Sequence, residues 1–285
     1  IVYGVCEPPA ISEPAILTVL AKSLIITATG FDKVYDRNTK AFVTLQDNRE
    51  PGAVFDVHYT DANFDTWDVG VDKPILVTGI YLTGRDAGNY SHNKTAITSA
   101  DITPRQVVGT FTAADKIYDG NTDATITGRG MLDVLPGDED GVTLIGGTAT
   151  FDDPNVGNDK PVNQIGMSII GYRAFNYYLD YVIPTVADIL PRNIIGKFTA
   201  EDKIYDRTTA AVITDRYLEG ILPQDTADIK LIGGSAVFYN WHAEEDKLVI
   251  GSGFTITGAS SINYNVIEID LTTTATIFPR PVDII

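Results

Sequence analysis

The sequence is short of several things, and each shortage removes a class of function. Of 285 residues, one is cysteine, three are histidine and two are tryptophan. A lone Cys6 cannot close a disulfide within the chain. The histidines, His58, His92 and His242, share no ligand spacing, and "HAEED" around His242 is not the H-E-x-x-H pattern of a zinc site. No G-x-S-x-G elbow, phosphate-binding loop or Cys/His pairing is present. Long apolar runs are missing too. Lys22 interrupts the best stretch, Ile16 to Ile26, so no segment reaches the 18 or so residues of a membrane-spanning helix. Positive charge is scarce: 21 Lys and Arg stand against 38 Asp and Glu, a net charge of −17. Such a chain repels nucleic acid and anionic lipid, stays soluble, and attracts divalent cations at most. No signal peptide opens the sequence and Ile1 is not a natural start, so it reads as an excised fragment. Helix signals are nearly absent; "MLDVLPGDED" (131–140) has room for a single turn.

What is present is a packed interior and a repeat. Hydrophobic residues make up 44% of the chain, and its length suits two or three domains. "DKVYD" at 32–36 returns as "DKIYD" at 115–119 and 202–206. Asn-Tyr returns at 89–90, 176–177 and 263–264; Phe64, Phe151 and Phe238 keep the same step of 87, and Pro-Arg closes units at 104–105, 191–192 and 279–280. Repeat 1 lacks four residues near "QDNREPG". A period this long exceeds solenoid repeats of about 20–45 residues and suits small domains that close their own cores. The expected division is residues 22–104, 105–191 and 192–285, preceded by 1–21, the C-terminal remnant of an earlier repeat.

Within a repeat the hydrophobic period is two. "VVGTFTA", "VTLIGGTATF" and "NYYLDYV" are rich in β-branched and aromatic residues and are divided by Gly, Asn, Asp and Pro. The pattern predicts an all-β fold: small antiparallel β-sandwiches in tandem, end to end as an elongated rod. "DAGNY" before Tyr90 matches the approach to a tyrosine corner of immunoglobulin-like sandwiches; the alternative for Tyr90, Tyr177 and Tyr264 is an ordinary core tyrosine. The junctions hold proline between apolar runs, at Pro104 and Pro191, with no Gly/Ser spacer, which predicts stiff linkage.

"AADKIYDGNTDATIT", "VTLIGGTATF", "VGNDKPV" and "FNYYL" together resemble the YDG-type domain of bacterial surface proteins. Repeat 2 has the literal Tyr118-Asp119-Gly120, whereas repeats 1 and 3 have Arg37 and Arg207 in the glycine's place. "ILTVLAKSLIIT" is similar to the end of MBG-type repeats. The resemblance implies secreted, repeat-rich adhesins in which such units form a stalk, and it implies no catalytic residues. Arginine at the glycine position suggests that this turn does without a positive φ.

The same residues offer candidate chemistry. Asp115 and Asp119 could ligate Ca²⁺ through oxygen. The structural reading makes Tyr35, Tyr118 and Tyr205 core plugs, with Asp36, Asp119 and Asp206 bonding turn backbone. Lys73, Lys160 and Lys247 recur in "VDKPI", "NDKPV" and "EDKLV"; alternation puts them at an exposed hairpin end, the other reading being an isopeptide crosslink. Trp67 and Trp241 share a repeat position, where they would stack on sugar or cover a domain end. The expectation is no enzyme and no cofactor, Ca²⁺ aside. It is a structural stalk segment of an extracellular, cell-surface adhesin, with neighbouring repeats as its partners and a host or surface glycan or protein as a further candidate. A glycan- or protein-binding module built on Trp67 and Trp241, or a filament-forming subunit paired through sheet edges, are the alternatives.

Overall fold

A computed structural model describes residues 1, 3–4, 18–267 and 271–282. Cys6 and most of the segment 1–21 lie outside the described residues. The described chain is all-β, with five short 3-10 turns and no α-helix. It divides into two compact units: Ile1–Arg105 with Phe175–Tyr178, and Gln106–Ala174 with Leu179–Ile285.

Repeats 2 and 3 show the same plan. In repeat 2 a three-stranded sheet orders Ile126–Leu132, Arg105–Ala113 and Tyr177–Val182. A five-stranded sheet orders Lys116–Ile117, Thr185–Leu190, Gly157–Ile170, Thr143–Phe151 and Asp123–Ala124. Repeat 3 reproduces both, from Ile213–Glu219, Arg192–Ala200 and Tyr264–Val266, and from Lys203–Ile204, Leu271–Phe278, Glu244–Thr257, Lys230–Phe238 and Ala210–Ala211. The alternation read from sequence produces the inward rows. Ala149 and Phe151 on one strand are buried and Thr148 and Thr150 beside them face out, while Leu144 joins the buried row across an irregularity at Gly146–Gly147, both at positive φ. The five-stranded sheets end in two-residue strands, which offer little edge to another chain.

Repeat 1 is less regular. Its first strand breaks at Ile25: Lys22–Leu24 pairs parallel with Tyr90–His92, and Ile26–Gly30 pairs antiparallel with Val43–Asp47. A four-stranded sheet, Lys33–Val34, Thr95–Thr103, Gly70–Thr78 and Asp61–Phe64, carries a single bridge from Lys40 to Asn63 where the other repeats have a fifth strand. Where four residues are missing, Asp47 grips Arg49 at 2.9 and 2.6 Å, and the guanidinium lies 3.9 Å from the Phe55 ring centroid.

Two expectations need correction. The helical turn sought in 131–140 is a 3-10 turn at Glu139–Gly141, and further 3-10 turns precede every Asn-Tyr pair, at Ala87–Asn89, Ala174–Asn176 and Ala259–Asn263. Nor does repeat 2 close its own core. One apolar cluster joins Phe111, Tyr118, Phe151, Val162 and Ile189 of repeat 2 to Ile194, Ile229 and Tyr264 of repeat 3. Pro191 alone separates the last strand of repeat 2 from the first of repeat 3, so the chain has no slack with which to part the two cores.

Candidate functional site

The triplicated pentapeptide makes one local structure three times. Its lysine opens a two-residue strand that pairs parallel with the last strand of the repeat. The ammonium then turns into the following loop. Lys33 Nζ donates to Asp36 Oδ1 (2.7 Å), Asn38 O (2.7 Å), Asn38 Oδ1 (3.0 Å) and Lys40 O (3.1 Å). Lys116 meets Asp119, Asn121 and Asp123 O in the same way, and Lys203 meets Asp206, Thr208 and Ala210 O. The lysines also lie 5.7, 5.6 and 5.5 Å from the ring centroids of Phe64, Phe151 and Phe238, all three buried. Lys203 and Thr208 together hold the Asp206 carboxyl down at about 2. Burial opposes the same effect at Asp119, but the Lys116 ammonium still keeps it below the usual carboxylate range.

This geometry corrects the calcium reading of Asp115 and Asp119. The oxygen cage is filled by the protein's own ammonium. Asp115 points elsewhere: its Oδ1 accepts the Asp188 N–H at 2.8 Å, as Asp32 accepts from Asp101 and Asp202 from Thr276. Among the described residues no three His, Cys, Asp or Glu side chains gather as metal ligands.

The hydrogen bonds run on from there. Asp188 Oδ1 accepts the N–H of Asp159, and Asp101 Oδ1 that of Asp72, both at 2.8 Å. Asp72, Asp159 and Asp246 hold φ of 50°, 48° and 46°, in bulges of long strands. Lys73, Lys160 and Lys247 therefore stand not at an exposed hairpin end but just past a bulge, their side chains 11%, 11% and 2% exposed. Lys73 reaches Asp65 and Thr66, Lys160 reaches Asp152 and Asp153, and Lys247 reaches Asn240 and Glu244. Burial alone would lower Lys160, yet Asp153 and Asp152 raise it above its ordinary value. Amide formation needs a neutral amine, and the paired Lys160 ammonium is the opposite.

The arginines at the glycine position are a further correction. Arg37 and Arg207 hold φ of 62° and 66°, beside 79° for Gly120, so the turn takes the left-handed conformation in every repeat.

The motif tyrosines lead to the site itself. Tyr118 N–H donates to Leu190 O at 2.9 Å, which fixes the ring at the end of repeat 2. Its hydroxyl donates to Asp225 Oδ2 of repeat 3 at 2.9 Å, and Tyr264 donates to the same oxygen at 2.7 Å. The two rings meet edge to face, centroids 5.4 Å apart at 77°. Asp225 lies in a 3-10 turn opened by Pro223, and Leu222 N–H donates to the Tyr264 hydroxyl at 3.1 Å. Beside them Asn263, 1% exposed, accepts from Val156 N–H at 2.8 Å and donates to Asn155 Oδ1 at 3.0 Å. Repeat 3 thus grips repeat 2 through an aspartate, an asparagine and a tyrosine, all desolvated. Burial and then the Asp225 carboxylate raise Tyr118 above its ordinary value, and the same causes push Tyr264 up to about 12.

The other unit repeats the asparagine bonds and the ring pair. Asn176 accepts from Val69 N–H at 2.8 Å and donates to Asp68 Oδ1 at 3.0 Å, and Tyr35 meets Tyr177 edge to face at 5.4 Å and 79°. Tyr177 and Tyr264 are therefore not tyrosine corners of separate sandwiches; they face the motif tyrosine one step earlier in the series. Tyr90 and Tyr205 lack such a mate among the described residues. Tyr90 packs on Phe55 and Tyr205 on Trp241, centroids 5.0 and 5.7 Å apart, and both are only half-buried. Trp67 and Trp241 are 40% and 41% exposed; Trp67 adjoins the Asp68–Val69 pair, and Trp241 stacks on His242 at 4.2 Å. Sequence reasoning picked out the tyrosines but not Asp225, Asn176 or Asn263 as the groups they meet.

No curated protein matches the chain. A YDG domain model matches three times, at residues 20–98, 103–185 and 191–275. The matched spans take in all three lysine-filled turns and all three Asn-Tyr pairs, and on that match the chain belongs to the YDG domain family.

Proposed function

We propose that this chain is a stalk segment of a secreted or cell-surface bacterial adhesin. Its immunoglobulin-like sandwiches lie end to end as an elongated rod, and an MBG-type remnant occupies residues 1–21. In this reading the chain catalyses nothing and needs no cofactor. It holds a binding tip away from the cell. The observation that carries the reading is the grip of Asp225 on Tyr118 and Tyr264. A carboxylate shared between two repeats, a common apolar core and a one-residue linker suit a part that resists bending. The net charge of −17 suits a fibre that must not stick to its copies. Small-angle scattering tests the rod: a maximum dimension of a compact 285-residue globule would end it. Single-molecule pulling tests the mechanics, with Asp225→Ala expected to lower the unfolding force of the repeat 2–3 pair.

A second reading rests on the exposure of Trp67 and Trp241, which suits a glycan- or protein-binding module. Saturable binding on a glycan array, abolished by Trp241→Ala, would favour it over the stalk. Filament formation through sheet edges has less behind it, since the five-stranded sheets end in two-residue strands.

A further inference from the structure

Tyr205 sits in its turn as Tyr118 does. Its N–H donates to Phe278 O at 2.9 Å, as that of Tyr118 donates to Leu190 O at 2.9 Å, and Lys203 fills its loop as Lys116 fills the one before. What differs is the cover. Over Tyr118 lie Asp225, Ile229 and Tyr264. Around Tyr205 lies a cavity of about 690 Å³, lined among others by Arg207, His242, Ala243 and Arg280. Two of these residues have a known counterpart. His242 and Ala243 stand one step of 87 after Asn155 and Val156, the pair that receives the Asn263 amide at the filled junction.

We propose that this cavity is a docking site for another YDG repeat, presented in the register in which repeat 3 meets repeat 2. Its occupant carries an Asn-Tyr pair after a 3-10 turn and a buried aspartate after a Leu-Pro turn. The aspartate accepts the Tyr205 hydroxyl, and the asparagine accepts from Ala243 N–H. The cations Arg207 and Arg280 on this face suit an acidic visitor. Arg207 also sets a selection rule. At the filled junction a side chain on Gly120 would run into the amide end of Gln224, which would have to swing aside. An arginine in that place therefore calls for a partner with a small residue where repeat 3 has Gln224. The surface follows from the junction geometry alone and does not depend on the stalk reading.

The test extends the chain by one repeat. Residues 1–278 are followed by a copy of 191–280 in which Gln224 is replaced by Gly, and amide exchange is followed by mass spectrometry over 240–244 and over the appended strands. Exchange at 240–244 should slow about tenfold or more on extension. The slowing should vanish when the appended copy also carries Asp225→Ala and Tyr264→Ala. Unchanged exchange at 240–244 beside a folded appended copy would overturn the proposal. So would an appended copy that does not fold, because a repeat seated as repeat 3 is on repeat 2 must fold there too. Protection of 240–244 in the unextended chain by Ca²⁺, or by a set of soluble oligosaccharides, would assign the cavity to that ligand instead. Restoring Gln224 in the appended copy should weaken protection if Arg207 selects its partner.

Discussion

Tyr118 and Tyr205 are the same residue in the same motif, with the same backbone bond and the same lysine beneath them, yet one is 4% exposed and the other half-buried. Locally they differ in Gly120 against Arg207 two residues on and in Trp241, which packs on Tyr205 where repeat 2 has Pro154, and neither buries the ring. The difference is that repeat 3 supplies Asp225, Ile229 and Tyr264 to the first and that no described residue supplies their like to the second. The motif is therefore half of an interface. Its lysine and second aspartate secure a turn, and the turn presents a tyrosine to whatever comes next.

The largest effect expected on this comparison is from truncating the two rings. Tyr118→Ala should cost about 3–5 kcal/mol in chemical denaturation, since it empties a core shared by two repeats and leaves Asp225 with one donor fewer. Tyr205→Ala, at the open end, should cost about 1–2 kcal/mol. Equal losses would mean that the junction contributes nothing beyond each repeat's own packing.

Asp225→Ala comes next. It leaves two buried hydroxyls without their acceptor, although Tyr264 still receives the Leu222 N–H. The expected loss is about 1–3 kcal/mol. In a double-mutant cycle with Tyr118→Phe the two losses should fall short of additive, because both remove one hydrogen bond. Full additivity would break the claim that they act through each other.

The titration of Tyr264 sharpens the comparison without deleting a ring. Its folded value of about 12 lies above the ordinary 10, so the stabilisation is complete below pH 10 and is lost as pH rises toward 12. Alkaline unfolding of repeats 2 and 3 should steepen in that window, and Tyr264→Phe should flatten it. At the acid end Asp206 titrates the other way: the bond to Lys203 is complete above pH 3.8 and is lost as pH falls toward 2. That loss is local to the exposed turn, so it should show in proton exchange at Thr208 before any global change.

How much of this could be read from the sequence depends on the range of the interaction. The strands were legible, because a period of two puts Ala149 and Phe151 on one face whatever lies beyond. The repeat was legible too, since unlike residues kept one offset. The junction was not: Tyr118 and Asp225 lie 107 residues apart, and no local pattern ties them. One signal existed. Leu135-Pro136-Gly137-Asp138 and Leu222-Pro223-Gln224-Asp225 stand one step of 87 apart, and both aspartates are buried. An acid that recurs behind Leu-Pro inside an apolar flank asks for a buried donor, but among 38 acids it read as surface. The bulges at Asp72, Asp159 and Asp246 were hidden for another reason. Glycine announces a positive φ, and aspartate does not.

The smallest effect is the most specific. Gly120 and Arg207 share a left-handed backbone at φ of 79° and 66°, so arginine is strained there while glycine is at ease. Arg207→Gly should stabilise repeat 3 by about 0.5–1 kcal/mol, the relief of strain less the extra freedom glycine brings to the unfolded chain. The reverse change, Gly120→Arg, should cost more than that. It adds the same strain and must also displace the Gln224 side chain at the filled junction. Pairing Gly120→Arg with Gln224→Gly should recover the steric part and leave the strain. If Gly120→Arg alone costs no more than Arg207→Gly returns, the turn is indifferent to its neighbour, and Tyr118 and Tyr205 differ by exposure alone rather than by a fitted partner.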